Sequence, residues 1–140
     1  MVKEIIAGGV GVAVGITIIY FIISNLSKKE IDNEVLDSLF NEKTEVENLN
    51  ASELVQWFKT KMEGKNDNIK MILSCIDKSL LAKYGFSLKE DVKSENVLLQ
   101  FLYDESTEKI IESRLIRFTN IDTNLQAQLE ENDGLIVFSK

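Results

Sequence analysis

The longest apolar segment of the chain lies close to its N-terminus. From Ile5 to Leu26 there are 22 residues without a charged side chain, and the stretch ITIIYFII within them is apolar on every face of a helix. A helix of this length spans about 33 Å, which matches the ~30 Å hydrocarbon core of a bilayer. The pattern predicts a transmembrane helix over residues 5–26, preceded by a short tail of residues 1–4.

The glycine-rich stretch GGVGVAVG within this segment also suggests a phosphate-binding loop. A dinucleotide site needs its glycine turn to open an amphipathic helix that packs on a sheet, whereas the residues that follow here are apolar on all sides. We therefore favour the membrane helix. Ala7, Gly11 and Gly15 recur at every fourth position and predict a smooth face where another helix packs closely. No small-x-small cleavage site follows, so an uncleaved anchor is expected.

The basic side chains beside the apolar segment predict its orientation. Lys28 and Lys29 follow the segment and suit the headgroup level of a membrane, whereas Lys3 alone precedes it. Positive residues next to a membrane helix favour the cytoplasm. The sequence thus predicts a single-pass protein of the cell membrane with its body on the cytoplasmic side. The inverted orientation, with the body outside as a surface module, stays open.

Residues 27–50 are expected to join the anchor to the body of the protein. Apolar positions between Ile31 and Phe40 recur at helical spacing and predict a short juxtamembrane helix. The Glu- and Asn-rich stretch that follows, residues 41–50, is typical of a solvated acidic linker. Neither part has enough apolar positions to form a core of its own.

Residues 51–140 are expected to form one soluble domain that begins with helices. Asn50 and the Glu three positions later resemble a capping pair. The helix that they begin places Trp57 and Phe58 on its apolar side, where an aromatic pair is typical of a core.

A further helix is predicted between Asp67, as its cap, and Gly85, as its left-handed stop. Its expected core stripe consists of Ile69, Ile72, Leu73, Ile76 and Leu80. Cys75 borders this stripe in mid-helix and is expected to be a buried, unreactive side chain.

The pattern changes to that of strands after residue 96. The apolar run at 97–103 predicts a central strand, residues 110–121 its hairpin partner, and residues 135–139 a last buried strand beside the first. Arg114 and Arg117 of the hairpin partner are expected to point in part away from the core. Between them, Asp122 as cap and Gly134 as stop favour a short helix over a strand. The fold class predicted is α+β, with three to four helices on one face of a mainly antiparallel three-stranded sheet.

Charge and composition exclude several functions. The chain has 16 basic and 23 acidic side chains, a formal net charge of −7, no histidine and one cysteine. Because nucleic-acid binding depends on clustered Lys and Arg, neither DNA nor RNA is expected as a partner. The missing histidine excludes Ser-His and Cys-His nucleophile pairs, and the single cysteine excludes an internal disulfide. We assign no catalytic, cofactor-binding or metal-binding residues.

Two acidic clusters are the remaining candidates for chemistry. They consist of Asp104, Glu105 and Glu108 in the hairpin loop, and of Glu130, Glu131 and Asp133 before the last strand. Carboxylates are the ligands that Ca²⁺ and Mg²⁺ prefer, yet neither cluster has the spacing of a calcium loop. In so acidic a chain, solvated turns account for both.

These observations favour a membrane-anchored accessory or scaffold subunit. We expect it to act through contacts with another protein, in part through the transmembrane helix, and without catalysis or a cofactor. The alternative is a tethered enzyme that works with carboxylates or a divalent metal ion. General acid and base pairs cannot be located from the sequence, because it does not tell which carboxylates face each other.

Overall fold

The computed structural model of the protein describes residues 5–6, 18, 21–26 and 28–138. Its strands are β1 (Ile5–Ile6), β2 (Glu30–Ile31), β3 (Glu42–Leu49), β4 (Ile69–Ser74), β5 (Ser87–Leu88), β6 (Val97–Asp104), β7 (Lys109–Ile121) and β8 (Leu135–Phe138). Its helices are α1 (Asn33–Ser38), α2 (Ala51–Met62), α3 (Lys78–Lys83) and α4 (Thr123–Glu131), with a 3-10 turn at Ser94–Asn96 and helical residues at 18 and 21–24.

Six of these strands form one mixed sheet in the order β1-β8-β4-β6-β7-β3. The pairings are antiparallel except for that of β3 with β7, while β2 and β5 form a separate parallel pair. The chain is thus an α+β protein, but the prediction of a three-stranded sheet is wrong. The predicted hairpin is confirmed as β6 and β7, whereas the last strand lies beside β4 and not beside β6.

Both faces of the sheet are covered, because the central strands are apolar on both sides. In β6, Leu99 and Phe101 belong to one core, while Leu98 and Leu102 belong to another. Residues from α1, α3 and the helical segment 21–24 pack in the first core, and residues from α2 and α4 pack in the second. The expectation that helices cover a single face is therefore wrong.

The predicted caps of two helices are confirmed. The Asn50 side chain accepts a hydrogen bond from the Glu53 amide at 3.0 Å, and the Asp122 side chain accepts one from the Leu125 amide at 3.1 Å. Each bond satisfies an amide that has no partner inside its helix. The aromatic pair on α2 is buried, as its place on the apolar side predicts, and Phe58 is fully buried.

The N-terminal apolar segment belongs to this fold where the structure describes it. Ile5 and Ile6 pair with Phe138 and Val137 at the edge of the sheet. The side chains of Ile18 and Ile22 lie in the first core, 4% and 2% exposed. Phe21 packs there as well, with its ring centroid 5.8 Å from those of Phe40 and Phe101. These residues are therefore held by protein contacts.

The predicted transmembrane helix over 5–26 is contradicted. Among the described residues, no helix combines the length and the apolar character that crossing a bilayer requires. The same finding contradicts the predicted location, that of a single-pass protein of the cell membrane with a cytoplasmic body. A segment that is apolar on all sides indicates burial, in lipid or in a protein core alike. Ala7, Gly11, Gly15 and the tail of residues 1–4 lie outside the described residues.

Two further segments differ from their predictions. Residues 69–74 form the central strand β4, because five of its six side chains are buried and the run packs on both faces. A short apolar run of this kind cannot be told from a helix by periodicity alone. The predicted linker forms the strand β3, whose side chains alternate between half-buried and exposed from Glu42 to Glu47. This alternation is that of an edge strand with one covered face.

Candidate functional site

A cleft beside α4, here called the α4 cleft, is the strongest candidate for a binding site. Its volume is ≈ 390 Å³, within the range of small ligand sites. It is lined by Cys75, Ser94, Glu95, Val97, Leu98, Phe118, Ile121, Gln126, Leu129, Glu130, Asp133 and Gly134. These residues come from four separate parts of the chain, which the sheet and α4 bring together.

The α4 cleft has an apolar floor and an acidic rim. Leu98, Phe118 and Leu129 belong to the second core and line the cleft. The rim carries three acidic residues, Glu95, Glu130 and Asp133, all of them exposed. None of the described residues that line the cleft is basic. The cleft thus offers apolar contact surface beneath a negative field.

The turn after α4 forms one wall of the cleft. The Gly134 amide donates to the Leu129 carbonyl at 2.7 Å, and the Gly134 carbonyl accepts from the Cys75 amide, also at 2.7 Å. Gly134 has a φ of +82°, and a Cβ built there would lie 3.1 Å from the Cys75 Cβ. Both features favour glycine at this position. The predicted stop at Gly134 is therefore confirmed.

Cys75 lies directly after β4 and not in the middle of a helix. Its side chain is half-buried, and burial raises the pKa of its thiol above the ordinary value. Burial disfavours the thiolate because the charged form loses hydration. Since the thiolate is the nucleophile, this position is unsuited to covalent catalysis.

We expect Cys75 to react with a thiol reagent at least about tenfold more slowly in the folded protein than in the unfolded chain at pH 8. The midpoint of its rate against pH should also lie above that of the unfolded thiol, because the pKa is raised. The reaction of the same chain with and without denaturant measures both. Equal rates in the two states would contradict the assignment.

A polar network lies beneath α2, on the same face of the sheet as the α4 cleft. The Arg114 guanidinium, 4% exposed, donates to the Gln100 side-chain oxygen from two nitrogens, one at 3.0 Å, and to the Glu53 carboxylate at 3.0 Å. Gln100, fully buried, donates in turn to the Leu54 carbonyl at 2.9 Å. The guanidinium carbon lies 5.3 Å from the centroid of the Trp57 ring. The network ties α2 to β6 and β7.

Glu42 of β3 extends the network towards solvent. Its carboxylate accepts a hydrogen bond from the Trp57 ring nitrogen at 2.9 Å and forms an ion pair with Lys61. Hydrogen bonds from Lys61 and Trp57 lower the pKa of Glu42, and the bond to Glu42 raises the pKa of Lys61. Burial lowers the pKa of Arg114, although the hydrogen bond that Arg114 donates to Glu53 opposes this.

The network is closed and offers no free group to a ligand. Within the described part of the chain, every buried side-chain nitrogen and oxygen has a hydrogen-bond partner. The sequence predicts that Arg114 and Arg117 point in part away from the core. The prediction holds for Arg117, which pairs with Asp37 at 2.6 Å and is half-buried. It is wrong for Arg114, which is buried in the network. The sequence feature that indicates a buried partner for Arg114 is Gln100, the one polar residue inside the apolar run at 97–103.

The two lysines predicted at the membrane interface, Lys28 and Lys29, directly precede β2. Lys28 is exposed. Lys29 lies beside β5, where its carbonyl accepts from the Ser87 amide at 2.9 Å and its Nζ lies 5.9 Å from the centroid of the Phe86 ring. Lys29 therefore packs on the protein surface.

The two acidic clusters differ in their surroundings. In the hairpin loop, Asp104 accepts from the Ser106 amide and hydroxyl, and Glu105 pairs with Lys70 at 3.1 Å. In the second cluster, Glu130 and Asp133 line the α4 cleft, whereas Glu131 does not. No group of three or more acidic or cysteine residues suited to a metal ion occurs in the described part of the chain.

Comparison of the chain with protein-family models, with curated proteins and with solved structures finds no match.

Proposed function

We propose that this protein is an accessory or scaffold domain that binds another protein through the α4 cleft. The segment that it accepts presents an apolar side chain next to Lys or Arg. The observation that carries this proposal is the combination of an apolar floor with a rim whose charged side chains, among the described residues, are all acidic.

The floor supplies the binding free energy in this proposal. Leu98, Phe118 and Leu129 present apolar atoms to the cleft from three different elements. An apolar side chain that enters removes about 25 cal/mol per Å² of apolar surface from water. Anchors of this kind, seated in a pocket, carry most of the free energy of protein interfaces.

The rim supplies selectivity. Glu95 lies in the 3-10 turn before β6, while Glu130 lies at the end of α4 and Asp133 in the turn after it. Acidic side chains therefore border the cleft on two sides. A basic residue beside the anchor meets opposite charge there, and an acidic one meets like charge. Such complementary charges select partners and raise association rates.

Two short synthetic peptides test the proposal. They share the same Leu and Phe positions and carry either Lys or Glu between them. We expect the Lys peptide to bind the full chain with a Kd between about 10 µM and 1 mM, and the Glu peptide not to bind. Nuclear magnetic resonance shifts should move at Leu98, Phe118 and Leu129 during the titration.

A matched pair of variants controls the experiment. Glu130 lines the cleft, whereas its neighbour Glu131 is also exposed but does not line it. E130K is expected to weaken binding of the Lys peptide about three- to tenfold, and E131K to leave it nearly unchanged. Equal effects of the two variants, or shifts outside the cleft, would refute the proposed site.

A further inference from the structure

The edge strand β3 carries a second surface, distinct from the α4 cleft. It spans eight residues and pairs with β7 in one unbroken register, from Glu42 opposite Arg114 to Leu49 opposite Ile121. In the described part of the chain, no strand pairs with its other side. An open edge of this length presents backbone donors and acceptors for a further strand.

The hydrogen bond at the end of β3 shows which residues face the open edge. The Leu49 carbonyl accepts from the Asp122 amide at 2.8 Å, so Leu49 directs its backbone polar groups towards the β7 side. Successive residues of a strand direct these groups to opposite sides. Because the register has no shift, the groups of the even-numbered residues point outwards. These residues are Glu42, Thr44, Val46 and Asn48.

We propose that this edge pairs with β3 of a second copy of the chain, antiparallel, around a two-fold axis at Thr44. Thr44 then faces Thr44 of the second copy, and Glu42 faces Val46, so that all backbone groups used are the outward ones. Each of these pairs exchanges two hydrogen bonds, as antiparallel strands require. The result is one continuous sheet through both copies.

The charges of β3 fit this register. Lys43 and Glu45 share one face of the strand, and both are exposed. Around an axis at Thr44, Lys43 of each copy lies directly opposite Glu45 of the other, at a separation where opposite charges stabilise a pair. Lys43 Nζ donates to the Phe40 carbonyl at 3.2 Å, and an ammonium has further donors for the carboxylate.

Neighbouring registers fit worse. An axis at Glu45 sets Lys43 opposite Glu47 but places the two Glu45 carboxylates against each other, and an axis at Lys43 places two ammonium groups together. Like charges directly opposite each other are destabilising. Because Lys43 and Glu45 lie on either side of the proposed axis, the strand is complementary in charge to itself, which is what a two-fold interface between identical copies requires.

Sedimentation equilibrium of the full chain, at concentrations up to about 1 mM, tests the proposal. We expect a dimer of the 15.9 kDa chain. K43E and E45K each replace two attractive contacts by two repulsive ones and are expected to raise the Kd at least about tenfold. E47K is the matched control, because Glu47 faces Asn41 of the second copy in this register.

Mixing the two charge variants provides the decisive measurement. Each of the variants K43E and E45K repels its own copy. K43E carries Glu at both positions 43 and 45, whereas E45K carries Lys at both. An equimolar mixture is expected to regain the dimer as a heterodimer. Since both variants stay folded if the mixture associates, loss of folding cannot account for this result.

Several results would overturn the proposal. These are a chain that stays monomeric at all concentrations, single variants that dimerise like the parent chain, an E47K variant as disruptive as E45K, and a mixture that stays monomeric. The amide hydrogens of Thr44 and Val46 give an independent readout. Their exchange is expected to slow as the dimer forms, whereas that of Glu45, which faces β7, is expected to change little.

Discussion

Arg114→Met is expected to lower the free energy of unfolding by about 1–3 kcal/mol. The substitution leaves the side-chain oxygen of Gln100 fully buried and without the donors that it now has. An unsatisfied buried acceptor costs its full desolvation, which exceeds the value of an ordinary hydrogen bond. Urea denaturation of the variant and of the parent chain measures the difference.

A control and a rescue accompany this variant. Arg117→Met removes a half-exposed ion pair with Asp37 on the other face and is expected to cost about 1 kcal/mol or less. The double variant R114M/Q100L removes both polar partners and is expected to regain much of the lost stability, because apolar replacements of buried polar groups are often tolerated. A double variant less stable than R114M would show that the network stabilises the fold in another way.

Ile22→Ala is expected to destabilise the protein by about 2–5 kcal/mol. Ile22 lies in the first core, together with residues of β4, β6 and β8. Its truncation removes apolar contacts and leaves a cavity, as for any tightly packed aliphatic side chain. The midpoint and slope of urea denaturation, followed at Trp57 in the other core, report the loss.

Ser24→Ala is the matched control, because Ser24 is exposed in the same helical segment. It is expected to change the stability by no more than about 0.5 kcal/mol. If Ile22→Ala were equally neutral, the N-terminal segment would contribute nothing to the core, and the assignment of its residues to this fold would fail.

The features that the sequence predicts correctly depend on neighbouring residues. The caps at Asn50 and Asp122 act on amides three positions ahead, and the β6–β7 hairpin joins strands that are adjacent in the chain. Such signals lie within a few residues and need no knowledge of the fold. Features of this kind can therefore be predicted from the sequence alone.

The features that the sequence does not predict depend on distant residues. The apolar pattern of β4 is compatible with a helix until β6 and β8 are known to flank it. The Arg114 network joins residues 14 and 61 positions apart, and the α4 cleft draws its lining from Cys75 to Gly134. The N-terminal segment meets a core that its own sequence does not reveal, since lipid and protein interior favour the same apolar side chains.

The burial of Ile18 and Ile22 against later strands also affects how the protein is made. The ribosome synthesises the N-terminal segment well before β4, β6 and β8, which form the surface that covers these two side chains. Until β8 emerges, the nascent chain displays this segment without its native cover, and exposed apolar surface of this kind promotes aggregation. Packing of the first core is therefore completed late in synthesis, and chaperones have an extended opportunity to act on this segment.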